Sequence, residues 1–254
     1  MAMNPMEQFS IKPIVPLHLP ASWGGYDVSF TNQSLLMVLV ALGASLFLTL
    51  AMSKRSLVPS RTQSMAEMSY EFVANMMQSS TGEDGLRFFP FVFTIFIFVL
   101  FSNFFGMIPG SFTVTSQIAV TFSLAALVIL TVIVTGFAKH GFGFLKLFVP
   151  KAPWYLLILL VPIEVISFLT RPISLSVRLF ANMLAGHTML AVFGGFVVLL
   201  GGAGGVLSLL SIAPMALIVA IMLLELLVAF LQAYVFAILT CIYLNEALHL
   251  HDSH

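Results

Sequence analysis

Residues 170–187 read TRPISLSVRLFANMLAGH, and how this stretch is assigned decides the architecture. It carries Arg171, Arg178, Asn182 and His187, yet it lies inside sequence that is otherwise apolar from residue 152 to residue 200. No strong turn signal breaks that run. Its prolines, Pro153, Pro162 and Pro172, can kink a helix without ending it. One helix of this length would measure ~70 Å, against a hydrocarbon core of ~30 Å. Two arrangements satisfy it: a re-entrant pair of short spans, or one helix lying steeply tilted. Further on, GGAGG at 201–205 is the only obvious turn. A second apolar helix then covers 207–245, interrupted only by Pro214, Glu225 and Gln232. Two over-long neighbours joined by a glycine turn favour a tilted helical hairpin.

The rest of the chain belongs to the same solvent. It has 254 residues, 60% of them hydrophobic and 8% charged, with a mean hydropathy of +1.08. Soluble domains carry about 25% charged residues, so this is a multi-span membrane protein. A net charge of zero gives no electrostatic footprint for nucleic acid. The lone Cys241 excludes an intramolecular disulfide framework and a multi-cysteine metal site.

Uncharged runs predict spans at 34–52, 88–109 and 112–138, the last two separated by a short loop around Pro109 and Gly110. Residues 1–33 have no apolar core that would read as a secretory signal. They are expected to form an irregular polar arm. Between the first two spans, Met65, Met68, Phe72 and Met76 recur at helical spacing, which predicts a surface-lying amphipathic helix. An ordinary polar connector is the alternative. The predicted organisation is an arm (1–33), three spans with an amphipathic connector (34–151), and a long tilted hairpin with a polar tail (152–254). The fold class is therefore an all-α membrane protein with about five transmembrane helices.

Basic residues set the orientation. Lys54, Arg55, Arg61 and Arg87 share one loop, and Lys139, Lys146 and Lys151 follow the third span. The positive-inside rule places both loops in the cytoplasm, or its organellar equivalent, the N-terminus outside and the C-terminus inside.

A charge at the bilayer centre is disfavoured by ~2.5–3.5 kcal/mol or more, and such residues serve partners or ions. Glu164, Arg171 and Arg178 are spaced by seven, a step that drifts only ~20° around a helix, and Asn182 stays on that stripe. His187, nine residues past Arg178, points to nearly the opposite side. On the last helix Glu225 and Gln232 share a face, with Tyr243 close to it. Acidic and imidazole groups can relay protons, and the depths of these residues suit two half-paths that stop short of each other.

Plainer readings stand beside these. Arg171 would pair with Glu164, or simply face the cytoplasm. Glu225 would be a helix-packing carboxyl, and His187 would satisfy a neighbouring carbonyl. Gly186, Gly194 and Gly195 would only allow close packing. The tail histidines His249, His251 and His254 read as a flexible terminus, and no metal or cofactor is expected.

The run SLSVRLFANMLAGH (174–187), followed by ELLVAFLQAYVFAILTCIYL (225–244), resembles the a-subunit family of rotary, proton-translocating F-type ATP synthases. The likeness covers nearly the whole chain and is nearest to the alphaproteobacterial and mitochondrial branch. It implies that Arg178 is the essential stator arginine, facing a carboxylate on each subunit of a rotating c-ring. It likewise implies that Asn182, His187, Glu225 and Gln232 border the outer half-channel; Glu164 is placed on the proton path by its depth along the helix, and Arg171 and Tyr243 are given secondary or structural roles. Some family members hold Glu and His at the positions of His187 and Glu225, an exchange of the two types. The implied partners are c-ring proteolipids, peripheral-stalk b subunits, the remaining ATP synthase complex and the lipid bilayer, and the implied location is a bacterial inner membrane, with a mitochondrial one as the alternative. A secondary transporter using Arg178 to bind an anion is the competing class, but its usual internal repeats are not visible here. A structural scaffold would not need these polar groups. No Ser/His, Asp/Asp or His-x-x-x-His set supports an intramembrane hydrolase.

Overall fold

The computed structural model describes residues 13–15, 29–53, 59–108, 113–149 and 153–248. Lys54, Arg55, Lys151, the loop at Pro109 and the tail histidines lie outside these residues. Among the described residues five helical stretches are long and apolar enough to cross a membrane. They are built from α1 (Asn32–Ser53), α2 (Arg61–Gly85), α3 (Phe89–Gly106), α4 (Ile118–His140), α5 (Trp154–Gly202), α6 (Val206–Leu210) and α7 (Ile212–Leu248). Where an irregular arm was expected, β1 (Pro13–Val15) pairs antiparallel with β2 (Phe30–Thr31), just before α1.

The amphipathic helix exists as α2, started by Ser60, whose hydroxyl accepts from the Gln63 amide at 3.3 Å. Its buried face differs from the expected stripe. Ala66, Val73, Met76 and Met77 are buried, whereas Met65 and Met68 are 59% and 67% exposed. Exposed methionines are where a surface-lying helix would meet lipid, and the buried residues are where α2 packs on the protein. Gly82, at φ 65°, interrupts α2, and a 3-10 turn at Leu86–Phe88 leads into α3.

The third span begins later than predicted, at Ile118 rather than residue 112. Residues 114–116 form a 3-10 turn instead. The cause is local: Ser116 Oγ donates to the Thr113 carbonyl at 2.7 Å, and Thr113 Oγ1 donates to the Gly106 carbonyl at 3.4 Å. Hydroxyls that bond the nearby backbone compete with helix formation.

The stretch quoted at the outset is the middle of one helix. α5 has 49 residues and passes through Pro162 and Pro172 without ending. The second long helix is divided. Gly204 and Gly205, at φ 71° and 62°, make a turn that side chains with a Cβ rarely adopt. The short α6 follows, and α7 starts after Ser211 and runs for 37 residues.

Two compact units divide the chain. The first comprises Met1–Leu46, Phe98–Gln117 and Phe180–Gln232. Its core includes Val40, Val99, Asn103, Met183 and Ala229. The second comprises Phe47–Ile97, Ile118–Leu179 and Ala233–His254, with Phe96, Phe144, Leu179, Phe236 and Leu244 fully buried. In the second unit Phe72 meets the rings of Phe96 and Tyr234 at 5.8 and 5.6 Å. Helix ends are tied there too, by Lys139 to Asp84 at 3.2 Å and by His140 Nε2 to the Leu248 carbonyl at 3.3 Å. Leu42, Leu50, Ile158, Leu159, Val198 and Leu223 remain exposed, consistent with lipid or protein covering these helices in a membrane.

Candidate functional site

In the first unit α5 and α7 bring His187 and Glu225 together. His187 Nε2 lies 3.5 Å from Glu225 Oε1, and their side chains are only 12% and 5% exposed. At that distance the contact is not a formed hydrogen bond. No group among the described residues hydrogen-bonds either carboxyl oxygen of Glu225. A buried charge without a partner is strongly unfavourable, so the pair is stable either with both groups neutral or as an ion pair. Those two states differ by one proton moved across the gap.

Close packing makes the contact fit. A Cβ built on Gly186 would lie 2.7 Å from Glu225 Oε1, so a side chain there would make the carboxyl move from its present place. The polar surroundings come from α3 and the turn that follows it. Thr113 Oγ1 is 3.0 Å from His187 Nε2, and Thr115 Oγ1 donates to Asn103 Oδ1 at 2.9 Å. Asn103 Nδ2 donates to the Ala229 carbonyl at 3.1 Å, one helical turn beyond Glu225. Asn182 and Gln232, also in this unit, are half-buried and make no hydrogen bond among the described residues.

The second unit holds the remaining predicted residues. The alternative that paired Arg171 with Glu164 is corrected: Arg171 Nη1 pairs with Glu246 Oε2 of α7. Residues seven apart on one helix are separated by ~10.5 Å along its axis, whereas α7 presents a carboxylate directly across. The Arg171 guanidinium also lies 5.1 Å from the centroid of the buried Tyr243 ring and 5.9 Å from that of Phe168, a cation–π setting. Glu164 is half-buried and forms no ion pair among the described residues. Breaking the Arg171–Glu246 pair is expected to destabilise the subunit by about 1–3 kcal/mol. Arg171→Glu should therefore lower the amount recovered in assembled complex, and Arg171→Glu/Glu246→Arg should restore most of it. Quantitative immunoblotting of the purified complex reads the difference.

Arg178 is the exception. It is exposed on α5 and makes no hydrogen bond or ion pair among the described residues. One of the two arginines on the stripe is thus neutralised within the chain, and the other has no counter-charge among the described residues.

Several of these residues were not flagged by sequence reasoning. Asn103 had a signal, as a polar residue at the end of an apolar span. Glu246 looked like part of a polar tail, and Thr113 and Thr115 looked like span. Among the described residues no group of three or more His, Cys, Asp or Glu side chains is placed to hold a metal ion.

The relatives agree with the motifs. The chain is 61% identical to the ATP synthase subunit a of Mesorhizobium japonicum over 248 residues, covering 97% of each protein. It is 61% identical over 250 residues to that of Chelativorans sp., covering 98% of this chain and 99% of the other. With the Allorhizobium ampelinum protein the identity is 58% over 250 residues and 98% of each chain. Residues 34–245 match the family described as ATP synthase A chain, and with a match of that extent this chain belongs to that family.

Proposed function

We propose that the chain is the proton-conducting stator of an ATP synthase membrane sector, and that Arg178 is the fixed charge against which ring carboxylates ionise. One observation carries this reading. Arg178 is a permanent charge, exposed on an apolar helix and with no counter-charge among the described residues, while Arg171 on the same stripe is satisfied by Glu246. Its counter-charge then arrives from another subunit. A carboxylate at ~4 Å in an effective dielectric near 20 gains ~4 kcal/mol before desolvation. That gain favours release of the carboxyl proton to the cytoplasmic path. The carboxyl leaves Arg178 when it is reprotonated from the outer path, and the ring advances.

His187 and Glu225 serve the outer path, where Asn182 and Gln232 offer amide groups to water, and Glu164 serves the cytoplasmic path. Arg178 cannot deprotonate, so it also blocks direct passage between the two paths. Each proton falling through ~100 mV supplies ~2.3 kcal/mol. The protein lies in a bacterial inner membrane with its N-terminus outside and its C-terminus in the cytoplasm, held against the ring by peripheral-stalk b subunits.

Disulfide trapping tests the interface. Ser174 and Ala181, four residues before and three after Arg178 on α5, share its side of the helix and are exposed. In a Cys241→Ser background, Ser174→Cys and Ala181→Cys should each cross-link to a cysteine placed beside the ring carboxylate. Absence of both adducts, in complexes shown to contain the ring, would overturn the assignment.

A further inference from the structure

Thr113 holds a position that neither the motifs nor the proposed mechanism assigns. Its Oγ1 is 3.0 Å from His187 Nε2, and the same oxygen donates to the Gly106 carbonyl at 3.4 Å. A threonine hydroxyl has one proton to donate and lone pairs to accept with. With its proton directed at Gly106, a lone pair faces the imidazole and Nε2–H can donate to it; with the proton turned to the ring, a bare Nε2 can accept. That nitrogen is also the one 3.5 Å from Glu225 Oε1. The hydroxyl therefore holds the Nε2 edge of the ring beside the carboxyl.

Thr113 is itself held in place. It is 2% exposed, and its carbonyl accepts from Ser116 Oγ at 2.7 Å. Two residues on, Thr115 bonds Asn103, and Asn103 bonds the α7 backbone at Ala229. The turn at 113–116 is thus tied by hydrogen bonds to the helix of His187 and to the helix of Glu225.

We infer that Thr113 is a positioning residue for proton transfer, keeping the Nε2 edge of His187 on Glu225 both before and after the proton moves. The inference rests on the reading of His187 and Glu225 as the outer relay. Before transfer the hydroxyl accepts from Nε2–H. When an imidazolium passes its Nε2 proton to the carboxylate, the neutral ring keeps its hydrogen on Nδ1. The hydroxyl then turns from Gly106 and donates to the bared Nε2. A serine can do both, and a valine of the same shape can do neither.

The experiment measures passive proton conduction through the membrane sector, in vesicles carrying the complete complex from which the catalytic head has then been stripped. Thr113→Val should conduct about five-fold more slowly, the effect of one ordinary hydrogen bond, and Thr113→Ser should recover at least half the wild-type rate. On a His187→Ala background, Thr113→Val should cause no further loss. If Thr113→Val does not assemble with the ring, Thr113→Ala, which only removes atoms, carries the same expectation. Wild-type conduction in the hydroxyl-free variant, or a serine variant as slow as the valine one, overturns the inference. Wild-type conduction in His187→Ala would overturn the relay reading and this inference with it. An impaired His187→Ala beside an unimpaired Thr113→Val overturns this inference alone.

Discussion

Arg178→Ala is expected to bring ATP-driven proton pumping down to background while the detached catalytic head continues to hydrolyse ATP. The size of the effect follows from what the guanidinium supplies. Without it, a ring carboxylate entering the interface loses an attraction of ~4 kcal/mol before desolvation is subtracted, which is up to roughly three orders of magnitude in the ionised population. The barrier between the two proton paths disappears as well, so protons that still cross do so without turning the ring. Arg178→Lys should not rescue coupling, because an ammonium can lose its proton and lacks the planar fork of donors. Fluorescence quenching of a pH-sensitive dye in inverted vesicles reads pumping, and phosphate release reads hydrolysis. Coupled pumping by the alanine variant would sink the proposed role.

The second large effect is expected at Glu225. Glu225→Gln keeps the shape of the side chain but removes a group that can take and return a proton, and such groups contribute about 10²–10⁴-fold to proton-transfer steps. Conduction through stripped membranes should fall at least ~100-fold on that basis. On the proposed reading the pair, rather than either residue alone, moves the proton, since one carboxyl and one imidazole face each other across 3.5 Å. The exchange His187→Glu/Glu225→His should therefore conduct better than either single change. Recovery should stay partial, because an imidazole at 225 presses on the space that Gly186 leaves. Conduction by Glu225→Gln at the wild-type rate would show that this carboxyl does not carry the proton.

Long-range packing separates what could be read in the chain from what could not. Hydropathy alone announced five spans, and the absence of a strong turn between residues 152 and 200 announced one helix, which α5 is. Composition cannot report which residues of different helices meet. Arg171 could be assigned to Glu164 only because both lay on one stripe, and its actual partner lies 75 residues away on α7. The 113–116 turn was hidden for another reason. Its threonines and serine are ordinary inside an apolar run until their hydroxyls find the backbone, and that competition depends on the end of α3 being close by. In α2 the helix was legible, whereas which of its residues pack on the protein was not, because that depends on the neighbours it packs against.

The closeness of Gly186 to Glu225 has a genetic consequence. Two positions separated by 39 places in the chain share one small volume, so a change at 186 is felt by the carboxyl at 225. A larger side chain at 186 would be tolerated where 225 has already become small. Conversely, a damaged 225 is a background in which revertants should appear at 186. The relay therefore behaves in heredity as a locus of at least two codons, and a single-site scan would undercount the sequences able to perform it.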